Sequence, residues 1–128
     1  MPNRTWFNQQ LSLAIDQAEK NQGQLAVLFL DLDRFKTIND TLGHAIGDQV
    51  LQQATQRLQQ IMNNQDLIAR WGGDEFTLIL TNLTTLTEVE RLAQRLEAAL
   101  KPPFLINYQE LYVTSSIGIA LYPRMAVI

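Results

Sequence analysis

Leu67-Ile-Ala-Arg-Trp-Gly-Gly-Asp-Glu-Phe-Thr-Leu-Ile-Leu80 is the stretch that decides the fold. Two β-type runs, 67–71 and 76–80, flank Gly72, Gly73, Asp74 and Glu75. Such runs around a Gly-Gly step read as a hairpin, because glycine accepts the positive φ that tight turns require. Toward the N-terminus, Leu25-Ala-Val-Leu-Phe-Leu30 is apolar on both alternating faces and reads as a central strand covered on two sides. It ends at Asp31-Leu32-Asp33. Between strand and hairpin, Leu42, Ile46, Val50, Ala54, Leu58 and Ile61 form a nearly unbroken i+4 stripe, a helix that Asp40 or Thr41 can cap.

The pattern continues outward. Phe7, Leu11, Ala14, Ile15 and Ala18 have helical spacing, with Gly23 as a stop. Leu86, Val89, Leu92, Ala93, Leu96, Ala99 and Leu100 mark a third helix, started by a Thr87-x-x-Glu90 capping box and closed by Pro102-Pro103. Residues 110–122 form one β-rich stretch broken by Pro123. The order α, β, α, β-hairpin, α, β predicts an α+β domain: a central, mostly antiparallel sheet flanked by helices.

Composition narrows the chemistry. The 128 residues suit one domain, 1–128, with no repeat or linker. The absence of cysteine excludes disulfides, thiolate zinc sites and cysteine nucleophiles, and a single histidine, His44, excludes a multi-histidine metal site. A net charge of −3 without any basic run argues against a nucleic-acid partner. The longest apolar run, Leu25 to Leu30, is far short of the ~20 residues of a membrane span. No signal peptide is visible, which predicts a cytoplasmic protein.

Two acidic pairs stand out, Asp31 and Asp33 at the end of the central strand, Asp74 and Glu75 at the hairpin bend. Taken singly, such residues are usually just solvated, a Gly-Gly bend is usually a plain turn, and Lys36 and His44 are ordinary surface residues. If the hairpin pairs beside the central strand, however, Asp31 and Asp74 converge. Carboxylates that close repel one another, and a divalent cation satisfies both. Hard oxygen ligands suit Mg²⁺ or Mn²⁺ rather than zinc.

The joint pattern is more specific. Asp31-Leu-Asp-Arg-Phe-Lys-Thr-Ile-Asn-Asp-Thr-Leu-Gly-His-Ala-Ile-Gly-Asp48, then Arg70-Trp-Gly-Gly-Asp-Glu-Phe76, resembles the GGDEF family of diguanylate cyclases. Pro2-Asn3-Arg4 and Val113-Thr-Ser-Ser-Ile-Gly-Ile-Ala120 extend the resemblance over nearly the whole chain. The resemblance implies a ferredoxin-like sheet akin to adenylyl cyclase and polymerase palms, and condensation of two GTP into cyclic di-GMP with release of pyrophosphate. Carried over residue by residue, Asp31, Asp74 and the Leu32 carbonyl would hold the metal, and Asn39 and Asp48 would bind guanine. His44 and Phe35 would line the nucleotide, Lys36 would neutralise the transferring phosphoryl group, and Gly72 and Gly73 would let the phosphates approach the backbone. Asp74 would be the base for the ribose 3′-hydroxyl, backed by Glu75. A site whose polar groups are matched to guanine rejects adenine, which would leave them unpaired.

The chain departs from the family pattern in three places. Where many members carry Arg-x-x-Asp for product inhibition, this chain has Asn63-Asn-Gln-Asp66, and without the guanidinium fork weak or absent feedback inhibition is expected. The N-terminal family segment is represented only by its tail, with no sensor or receiver domain ahead of it; such a domain in the parent protein would bring two copies together as the homodimer the reaction needs. The chain ends at Ile128, short of the family's usual final helix and strand, which predicts weakened GTP binding and an uncovered apolar patch on the sheet. Two other readings stay open, a non-catalytic GTP-binding regulatory module and a structural or dimerisation fragment of a signalling protein.

Overall fold

In a computed structural model, residues 3–63, 66–83 and 85–123 are described. Helix α1 (Arg4–Asn21) leads into β1 (Gln24–Leu32), followed by α2 (Phe35–Leu42), α3 (His44–Ile61), β2 (Leu67–Gly72), β3 (Glu75–Leu83), α4 (Leu86–Leu100), β4 (Phe104–Ile106), β5 (Gln109–Leu111) and β6 (Ser115–Tyr122). The main sheet has strand order β2-β3-β1-β6, with every pairing antiparallel. The predicted α+β architecture is the one observed, and the strand apolar on both faces is central.

Side chains alternate across β1. Leu28, Leu30 and Leu32 enter the larger core with Leu78 and Leu80 of β3, Val50, Ala54 and Leu58 of α3, and Val89, Leu96 and Leu100 of α4. Leu25 and Val27 turn to the other face, where α1 lays Phe7 over Ala69 and Ile79. Each fully buried leucine or phenylalanine contributes about 2 kcal/mol of hydrophobic stabilisation, so the two faces together hold β1 in place. Beyond Val27 that second face lies open, and Phe29 is 49% exposed.

Several sequence expectations need correction. The stripe through Leu42 and Ile46 is two helices, because Gly43 at φ 94° breaks the chain between α2 and α3. Asp40 and Thr41 therefore lie inside α2 instead of capping α3. The α4 cap is Thr85, whose side chain accepts from the Glu88 N–H, so the Thr87 box does not start the helix. The 110–122 stretch is divided: β5 pairs with β4 across Asn107 and Tyr108, both at positive φ, and only β6 joins the main sheet.

Candidate active site at the end of the central strand

Register brings the acidic pairs together. Asp31 lies opposite Glu75 across β1 and β3, and the Leu32 N–H donates to the Asp74 carbonyl at 3.1 Å. The bend between β2 and β3 is Gly73–Asp74, with a register shift between Arg70 and Gly72. Gly73 does not adopt the positive φ expected of it; a Cβ there would meet nothing within 4 Å, so the backbone beside Asp74 stands clear.

The Asp31 and Asp74 side chains are hydrogen-bonding neighbours, one carboxyl donating when protonated and the other accepting. The Asp31 carboxyl is raised from 3.8 to about 6, first by partial withdrawal from water, then by the bond to and charge of Asp74, then by Glu75 and Asp33. Asp31 is exposed as a residue, so the facing carboxylates are the more durable part of this shift. Among the described residues no three His, Asp or Glu side chains converge as a ready-made cage. The donors on offer are two carboxylates and nearby backbone carbonyls, all hard oxygens. That sparse set fits Mg²⁺ or Mn²⁺, which keep several ligand positions for water and phosphate.

Asp33, although two residues from Asp31, has a different task. Its carboxylate accepts from Thr114 Oγ1 at 2.8 Å and Ser116 Oγ at 3.0 Å, and its N–H donates to the Thr114 carbonyl, tying the end of β1 to the start of β6. On the open sheet face, Asp31 and Glu75 share a hollow of about 340 Å³ with Phe29 and Thr77, whose buried Oγ1 has no hydrogen-bond partner among the described residues.

The nucleotide-facing candidates divide. Asn39 on α2 packs against Gly47 of α3, where an added Cβ would run into Asn39 Oδ1. Asp48 is exposed on the next position of α3 and lines a cleft of about 550 Å³ with Leu51, Gln52, Thr55, Gln56 and, from β2, Arg70. His44 opens α3 and is exposed, as is Lys36 on α2. Phe35 is buried in the core, its ring reaching toward Gly47, so it supports the α2–α3 junction from below rather than presenting a free face. Leu32 is likewise buried, its side chain in the core. Sequence reasoning missed Asp33's partners, Gly47 and Arg70. All four residues stand inside the motif stretches quoted above, but Thr114 and Ser116 lie 81 and 83 residues from Asp33, so only the sheet pairing joins them.

Comparison with known proteins agrees with this geometry. Residues 1–126 match the family described as "Diguanylate cyclase, GGDEF domain". The diguanylate cyclase TpbB of Pseudomonas aeruginosa is 44% identical over 127 residues, which is 98% of this chain and 29% of that protein. The cyclic di-GMP phosphodiesterase NbdA of Pseudomonas aeruginosa is 41% identical across 97% of this chain, covering 16% of its own length. The crystal structure of the TpbB GGDEF domain superposes with a TM-score of 0.94 at 43% identity, over 96% of this chain and 77% of that one. This chain belongs to the GGDEF domain family. It spans less than a third of the length of these curated relatives. Among the described residues no helix is long and apolar enough to cross a membrane.

Proposed function

We propose that the chain is a catalytic domain that condenses two molecules of GTP into cyclic di-GMP with release of pyrophosphate, working with Mg²⁺ or Mn²⁺. One observation carries the reading, the meeting of Asp31 and Asp74 at the clear backbone of the Gly73–Asp74 bend. Two acids held together in this way have no structural purpose that apolar packing would not serve better; they suit a guest of positive charge.

The division of labour follows from placement. Asp31, Asp74 and the Leu32 carbonyl would hold the cation, which when bound lowers the pKa of the attacking 3′-hydroxyl and offsets phosphate charge. Asp74 accepts the 3′-hydroxyl proton, with Glu75 beside it keeping the acidic field in place. Lys36 on α2 balances charge on the transferring phosphoryl group. Asn39 and Asp48 hold the guanine, His44 lies along the nucleotide, and Phe35 stiffens the helix junction that positions them. Gly72 and Gly73 leave room for phosphates against the hairpin backbone. Because the product joins two nucleotides, two copies must present their GTP to one another, and a sensor or receiver domain in the parent protein would promote that homodimer. The place of work is the cytoplasm, where GTP is available.

Incubation with GTP and Mg²⁺, followed by chromatography for cyclic di-GMP, tests the reading. Product from the wild type that is lost in Asp74→Ala supports it. A second reading, a GTP-binding regulatory module without turnover, is favoured by the match to NbdA, a phosphodiesterase by name; GTP binding without product would select it.

A further inference from the structure

We propose that Arg70 is a specificity-determining residue whose guanidinium reads the O6 and N7 edge of a guanine held on its other edge by Asp48, an inference that rests on the GTP reading above. The cleft between α3 and β2 places a carboxylate on one wall and a guanidinium on the other, and Leu51 also lines it. Its volume, about 550 Å³, lies within the range of small-molecule sites, roughly 300–1,000 Å³. Strand alternation orients Arg70: Ala69 enters the α1 face and Ile68 the α3 face, and Arg70 falls on the same side as Ile68.

The state of the charge separates this arginine from a structural one. Arg57, on the same helix as Asp48, donates to the carbonyls of Ala99, Pro102 and Pro103. The Arg70 guanidinium has no hydrogen-bond or ion-pair partner among the described residues, although Asp48 lines the same cleft. An acid and a base that share a cleft without closing on each other leave room for a planar group with donors on one edge and acceptors on the neighbouring one. Guanine is such a group. Its N1 and N2 donors suit a carboxylate, and its O6 and N7 acceptors suit the fork of an arginine. Adenine would put its N6 amino donor against one arm of the guanidinium and an unprotonated N1 against the carboxylate, leaving only N7 able to pair.

The test is the binding of GTP and of 7-deaza-GTP, which lacks the N7 acceptor, to the full chain with Mg²⁺, read before product accumulates. Wild type is expected to prefer GTP by roughly tenfold, the lower end for loss of part of a bidentate base contact. Arg70→Ala should reduce that preference to near unity, and Arg70→Lys, which keeps the charge without the fork, should lie between. Because the readout is a ratio for one protein, a moderate loss of folding cancels. An Arg70 variant that weakens both nucleotides by the same factor would overturn the proposal and assign Arg70 to phosphate or to the fold. Wild type indifferent to N7 would also overturn it, while the GTP reading stands on its own binding and product; wild type that binds neither nucleotide would remove that reading and this one together.

Discussion

Charge is handled in opposite ways at two places in this domain. Toward the C-terminal half of α3, Arg57 is half-buried yet satisfied: three carbonyl contacts at 2.6–3.3 Å and the Phe104 ring 3.8 Å from its guanidinium carbon surround it. It closes the exposed carbonyl end of α4, where a cation is also favoured by the helix dipole, and holds the Pro102–Pro103 turn that launches β4. At the end of β1, Asp31 and Asp74 are hydrogen-bonding neighbours with Glu75 adjacent, so like charges are gathered in one place. Removing charge from the first region should damage the fold and spare the chemistry. Removing it from the second should do the reverse.

The largest expected effect lies at the acidic pair. Asp31→Ala and Asp74→Ala should each lower cyclic di-GMP formation by at least about a thousandfold, more than Lys36→Ala, because in the proposed mechanism each removes a cation ligand and Asp74 also removes a base. Chromatographic rates for the three variants check the order, and a Lys36 variant more impaired than either aspartate variant would break the contrast. Arg57→Ala should then cost about 3 kcal/mol of stability, since it leaves carbonyls at a helix end without their donor. Calorimetry should show Tm falling by roughly 10 °C, with the residual rate of folded protein close to wild type.

Gly47→Ala sits between the two regimes. The new methyl group must displace Asn39, so an overpacking cost of about 2 kcal/mol and weaker GTP binding should appear together. If only stability changes, Asn39 does not face the nucleotide. The smallest effect concerns pH in the presence of a chelator. A carboxyl at about 6 in the folded state, against an ordinary 3.8, holds its proton more tightly folded than unfolded. Ionising it as pH rises through that window therefore lowers stability. Asp31→Asn should exceed wild type in Tm at pH 8 and match it near pH 4. Because Asp31 is exposed, solvent screening limits the gain to about 1 kcal/mol. Equal Tm values across that range would show that the pair is unstrained.

The elements that were legible in the sequence are those whose signal is local and repeated. β1 is apolar on both faces, α4 and α3 carry long stripes, and the hairpin has its glycine step. The break at Gly43 was hidden because Leu42 and Ile46 continue the same spacing across it, and only the observed φ of 94° separates α2 from α3. β4 and β5, three residues each, are too short for any period to register. In the site, the convergence of Asp31 and Asp74 followed from assuming that the hairpin pairs beside β1, which it does. Asp33 adjoins Asp31 in sequence, whereas its bonds go to Thr114 and Ser116 across the sheet. Arg70 could gain meaning only from a cleft whose other wall is α3.

Titrating Mn²⁺ into the chain in the presence of GTP, while following the paramagnetic signal of free metal, shows whether Asp31 and Asp74 form one cation site. Uptake should be saturable, fall at least tenfold in affinity in both Asp31→Asn and Asp74→Asn, and be unchanged in Asp33→Asn. Uptake indifferent to Asp31 and Asp74 would contradict a shared site.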